Sequence, residues 1–88
     1  VTKIRLPKLG GTTIKRYAFR YCYYLHTLVF GGDSLNTLEN TNAFENAGKY
    51  AENGLRIYVP DTLVDTYKRA TNWSVYADKI KPISELEA

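Results

Sequence analysis

The chain has 88 residues, 44% of them apolar, and a formal net charge of +3. That length suits one domain with a small core, and the apolar share argues against a disordered chain. No apolar run approaches the roughly 20 residues that cross a bilayer as a helix, and a single cysteine, Cys22, excludes an internal disulfide.

Ile4-Arg5-Leu6 alternates apolar and charged positions, so Ile4 and Leu6 are expected to face a core while Lys3 and Arg5 face out. Pro7 ends that strand, and Gly10-Gly11 supplies a turn with positive φ. From Ile14 to Ala18, Phe19, Cys22 and Leu25 the apolar spacing is too irregular for a long helix. Leu28-Val29-Phe30 then returns to strand alternation and is followed by a second glycine pair, Gly31-Gly32. Thr41-Asn42 reads as the start of a short helix with Thr or Asn as cap and Gly48 as stop. Leu55 to Val59 is a third strand with Ile57 and Val59 inward, closed by Pro60. Asp61 is expected to cap a helix through about Ala70, with Leu63, Tyr67 and Ala70 on one apolar stripe. Lys68 and Arg69 suit its last turn, and Asn72 is expected to stop it in the left-handed region. Trp73, Val75, Tyr76 and Ile80 read as a plug, and Lys79 to Ile83 as a last edge strand blunted by lysines and Pro82.

These elements recur. Ile14 reappears as Leu38, Ala18-Phe19 as Ala43-Phe44 and Leu28-Val29-Phe30 as Ile57-Tyr58-Val59, with the extra residues of the last step placed in Gly48 to Gly54. Looking back from Leu28, Ile4-Arg5-Leu6 is an earlier copy of the same strand. A period in the twenties with short apolar strands indicates a solenoid, each coil covering its neighbour's apolar side. The expected fold is α/β, with short parallel strands, an irregular or short-helical convex side and a C-terminal capping helix. One structural domain is expected, with coils over 1–60 and a cap over 61–88.

The pattern Ile14-x-x-x-Ala18-Phe19-x-x-Cys22-x-x-Leu25-x-x-Leu28-x-Phe30 resembles the BspA-type leucine-rich repeat of bacterial surface proteins. The ending from Tyr58-Val59-Pro60-Asp61 through Tyr67, Asn72-Trp73, Tyr76-Ala77-Asp78 and Ile80-Lys81-Pro82-Ile83 is similar to the closing segment of such arrays in Gram-positive bacteria and their phages. The second repeat departs from the pattern, with Ala47 at the cysteine position. The resemblance implies a right-handed solenoid, here a C-terminal fragment with its cap, at the cell surface or outside the cell. It implies adhesion to a protein or glycan of a host or neighbouring cell and brings no catalytic residues. Alternatives are a purely structural cap for the array and a phage or virion decoration module.

Charge is uneven. Lys3, Arg5, Lys8, Lys15, Arg16 and Arg20 meet no acidic residue before Asp33, whereas Asp33, Glu39, Glu45 and Glu52 outnumber Lys49 in the stretch that follows. A basic end beside many tyrosines could draw an anionic polymer, but no nucleic-acid motif accompanies it, and a solvated face is the simpler reading. Tyr17, Tyr21, Tyr23 and Tyr24 could form a stacking surface for sugars or bases, or cover an outer wall of the coil. Cys22 reads as a small buried hydrophobe, and with His26 as the only histidine no zinc set can be completed. No serine, histidine and acid cluster and no phosphate loop occurs, so neither catalysis nor a cofactor is expected. Membrane insertion is not expected either. Outward strand positions Arg5, Val29, Arg56, Tyr58 and Lys81 are the expected contact residues. An exposed apolar edge at Ile4, Leu6 and Ile14 is expected to favour self-association.

Overall fold

Short runs of alternating side chains become strands here because each finds a neighbour of the same pattern between 23 and 29 residues away. The computed structural model describes residues 2–52 and 54–87. Val1 and Ala88, at the limits of the expected coils and cap, and Asn53, within the expected insertion, lie outside the described residues. The strands are β1 (Lys3–Leu6), β2 (Thr13–Ile14), β3 (Thr27–Phe30), β4 (Thr37–Leu38), β5 (Arg56–Val59) and β6 (Ile80–Pro82). The helices are α1 (Val64–Arg69) and α2 (Ile83–Glu87). The molecule is mixed α/β, with a parallel sheet in the order β1-β3-β5-β6 and a smaller parallel pair of β2 with β4.

Register puts Ile4 opposite Leu28, Leu28 opposite Ile57 and Ile57 opposite Ile80, the single parallel row that the alternation predicts. Leu28, Ile57 and Ile80 are fully buried, while Ile4 at the edge is half-buried. On the far side Ile14 pairs with Leu38, and the Phe19 ring stacks on Phe44 at 5.3 Å with 3° between planes. Bonded partners then drift apart in sequence. The Tyr21 N–H donates to the Glu45 carbonyl, Gly48 to Cys22, Tyr50 to Tyr23 and Arg56 to His26. The extra residues are therefore spread over 45–56 rather than confined to Gly48 to Gly54.

The core closes around aromatic rings. Trp73, fully buried, meets Tyr67 at 5.0 Å, Phe44 at 5.7 Å and Phe30 at 6.0 Å, mostly edge to face, the arrangement favoured by ring quadrupoles. Asn36, also fully buried, ties this cluster to the backbone. Its N–H and its Nδ2 both donate to the Tyr67 hydroxyl at 3.1 Å, and its carbonyl accepts from Trp73 Nε1 at 2.7 Å. Its side chain also donates to the Leu9 carbonyl and accepts from the Thr12 N–H. Burial raises the Tyr67 phenol above its usual value, against the pull of the two Asn36 donors, and burial also raises Tyr76.

Several expectations are corrected. Asp61 opens a 3-10 turn, Asp61–Leu63, and makes no side-chain cap there. Its carboxylate instead accepts from the Ser84 N–H in the first turn of α2, a helix not expected from the sequence. The short helix at Thr41–Phe44 is 3-10 and is capped by Asn40, whose side chain accepts from the Asn42 N–H at 3.1 Å. Val75 is 64% exposed rather than part of the plug, because the 3-10 segment Trp73–Lys79 turns with a period near three and carries that position outward. Ile14 is buried by its pairing with β4 and is not part of an apolar edge. The glycine pairs also serve a different purpose. Gly11 has φ of 69°, but Gly31 and Gly32 are required by close approach, since a Cβ on Gly32 would lie 2.5 Å from the Gly10 nitrogen and one on Gly31 would lie 2.4 Å from the Pro7 carbonyl oxygen. Asn72 is left-handed as expected, with φ of 67°, but it opens the Trp73–Lys79 segment, because α1 has already ended at Ala70, whose backbone is extended; the Asn72 amide donates to the Leu38 carbonyl at 2.7 Å.

Candidate functional site

The strand positions facing away from the core line up as expected: Arg5 lies opposite Val29, Val29 opposite Tyr58, and Tyr58 opposite Lys81. Arg56 belongs to the next row, opposite Thr27, which in turn faces Lys3. The row is not an open strip, however. Val29 and Tyr58 are each only 7% exposed. Neighbouring strands in a sheet lie about 4.8 Å apart, so the long side chains of Arg5 and Tyr58 flank Val29 from both sides. Tyr58 is closed in further by α2, which packs on β5 and β6. Arg5 and Arg56 remain exposed and Lys81 is half-buried.

What this face offers is a pair of hollows meeting at Arg56 and Tyr58. One, of about 340 Å³, carries Arg56, Lys79 and Lys81 against Asp78 and Glu85, with Tyr58 as part of its lining. The other, of about 250 Å³, is lined by His26, Thr27, Glu52 and Gly54 as well, with His26 Nδ1 2.8 Å from Thr27 Oγ1. Neither set of charges takes part in the ion pairs found among the described residues, which join Lys15 and Arg16 to Glu39 and Arg20 to Glu45. Hydrogen-bonding groups of both signs therefore converge on one aromatic ring. Among the described residues, His, Cys, Asp and Glu gather in no group of three that could hold a metal ion, and no helix is long and apolar enough to cross a membrane.

A second surface is built from the turns after β2 and β4. Tyr17, Tyr21, Tyr24 and Tyr50 are 45%, 49%, 60% and 58% exposed. The Arg20 guanidinium carbon lies 4.6 Å from the Tyr17 ring centre and 4.4 Å from that of Tyr21, and its Nε is 3.3 Å from the Glu45 carboxylate. Cys22 is half-buried and packs against the core.

Sequence reasoning missed Glu85 and Asp78 in the first hollow and Tyr50 on the tyrosine surface. A signal for Tyr50 existed, since it follows Tyr23 and Tyr24 by about one repeat, but the drift in period hid the match. No family model matches this chain, and neither a curated protein nor a solved structure matches it.

Proposed function

We propose that the chain is a section of a right-handed leucine-rich-repeat solenoid of the BspA type, acting outside the cell as a non-catalytic binding module for a protein or glycan of a host or neighbouring cell. The observation that supports this most directly is the in-register parallel row Ile4, Leu28, Ile57 and Ile80, in which each strand presents its outward side chains beside those of the last. In a solenoid that face is continuous, and the contact it offers here centres on Arg56, Tyr58 and Lys81, with Arg5 further along the same row and Val29 as packing between them. The charges around Tyr58, which form no ion pair among the described residues, favour a polar or charged epitope.

A second reading, a structural cap over 61–88, is favoured by the Asn36, Tyr67 and Trp73 network, which joins that segment to the strands. Screening the chain against protein and glycan arrays separates the two. Saturable binding lost in Arg56→Ala and in Lys81→Ala, with the melting temperature kept, supports recognition through this face. Binding that both variants retain, or no binding on either array, removes it and leaves the capping role.

A further inference from the structure

We infer that the ridge formed by Tyr21, Tyr23, Tyr24 and Tyr50 is a carbohydrate platform that takes a neutral oligosaccharide. The inference does not rest on the sheet-face reading, because none of these rings lines either hollow there. Its rings form one unbroken series, Tyr21 to Tyr23 at 5.8 Å, Tyr23 to Tyr50 at 5.2 Å and Tyr50 to Tyr24 at 5.9 Å. Aromatic residues in such a series are normally buried by a core, whereas three of these four are about half exposed or more.

Backbone geometry indicates that one ring is held there at a cost. Tyr21 has φ of 65°, a region that bulky side chains disfavour. Its N–H donates to the Glu45 carbonyl, which places it beside Asn46 of the following repeat, and Asn46 has φ of 61°. The same left-handed turn is thus filled by asparagine, which tolerates it, in one repeat and by tyrosine in the other. The backbone conformation alone favours the asparagine, so the ring at Tyr21, which carries Arg20 and stacks on Tyr23, contributes something other than backbone fit.

Charge then selects the ligand. Arg20, the cation seated between the Tyr17 and Tyr21 rings, faces Glu45, and Lys15 and Arg16 face Glu39. Lys49 lies against the Tyr50 ring, 5.6 Å from its centre. Nucleic acid also stacks on aromatic rings, but its affinity comes mainly from free cations that neutralise phosphates, and here Arg20 is held by Glu45 while Lys15 and Arg16 are drawn to Glu39. A neutral sugar needs no such cations. It presents a C–H face to the rings and hydroxyls to the phenol oxygens and to water, which suits exposed tyrosines.

Calorimetric titration of the full chain with chito- and cello-oligosaccharides, with heparin as the anionic comparison, tests this. A neutral oligosaccharide should bind saturably with little dependence on salt. Tyr50→Ala and Tyr21→Asn should each weaken it about two- to tenfold, the worth of one aromatic contact. The melting temperature of Tyr21→Asn should not fall, and Arg56→Ala should bind like the parent. No binding to any of the neutral sugars, binding by both tyrosine variants as tight as the parent's, or binding to heparin alone that fades with salt would overturn the proposal.

Discussion

The two ends of the four-stranded sheet are built from the same strand pattern and finished in opposite ways. At the β6 end, Ile80 is 1% exposed and the side chains of Tyr67 and Trp73 are fully buried. At the β1 end, the matching residues Ile4 and Leu6 are half-buried, and Lys3 and Arg5 point to solvent. A parallel strand with a good inward row is therefore not enough to close this core. Closure comes from aromatic rings and from a buried polar residue that anchors them.

The largest effect is expected from Trp73→Ala. It removes a fully buried ring that touches Tyr67, Phe44 and Phe30, and it leaves the Asn36 carbonyl without its donor. A loss of about 3–5 kcal/mol follows from such truncations, a large share of the roughly 5–15 kcal/mol that holds an ordinary domain folded. Denaturant unfolding followed by circular dichroism measures it, and a stable, cooperative variant would show that the β6 end is not what holds the core. Asn36→Ala comes next. The side chain it deletes satisfies the Leu9 carbonyl, the Thr12 N–H and the Tyr67 hydroxyl. Leaving such groups buried and unpaired costs about 1–3 kcal/mol each where water cannot reach them, so a loss of at least about 2 kcal/mol is expected by the same assay. If that loss vanished in a Tyr67→Phe background, the coupling would run through the phenol.

How much of this was legible in the sequence depends on what kind of residue carried it. The ladder was, because Ile4, Leu28 and Ile57 repeat both a period of two along the strand and an offset in the twenties between strands. Phe19 and Phe44 were for the same reason. Asn36 was not, since a single asparagine between Leu35 and Thr37 has no counterpart in a period and its importance lies in four distant partners, Leu9, Thr12, Tyr67 and Trp73. Asp61 misled because local capping rules describe a carboxylate before a helix, whereas the fold brings α2 close enough to claim it. Among the expected contact residues, Val29 and Tyr58 were placed correctly on the outward row but not in exposure, because alternation gives a side chain's face and says nothing of what flanks it.

Alkaline pH should weaken the β6 end without altering the sequence. Tyr67 has its phenol pKa raised in the fold above the ordinary 10.0, mainly by burial. The unfolded chain therefore releases that proton first as pH rises, so the unfolded state binds fewer protons in this range and stability declines. The contribution is fully present below pH 10.0 and is lost as pH climbs through the raised folded value. Melting temperature should be level through neutral pH and fall beyond that point. Tyr67→Phe should start lower and fall less steeply, and equal slopes for the two proteins would assign the alkaline loss to other groups.

The smallest effect belongs to the β1 end. Leu6, Pro7 and Leu9, with Arg5 and Lys8 beside them, line an apolar hollow of about 450 Å³ at that edge. Covering a leucine or isoleucine fully is worth about 1.5–3 kcal/mol, but Ile4 and Leu6 are already half covered, and Lys3, Arg5 and Lys8 on each copy repel one another. Self-association through this edge should therefore be weak, concentration-dependent and strengthened by salt, which screens the cations within about 10 Å at 0.1 M. Sedimentation velocity at rising concentration measures it. The average mass should climb for the parent and stay monomeric for Leu6→Glu, whose melting temperature should change little because the position is half-exposed. A parent that remains monomeric at high concentration and high salt would mean that repulsion among the cations is not what keeps this edge soluble, and that Ile4 and Leu6 leave too little apolar surface uncovered to pair.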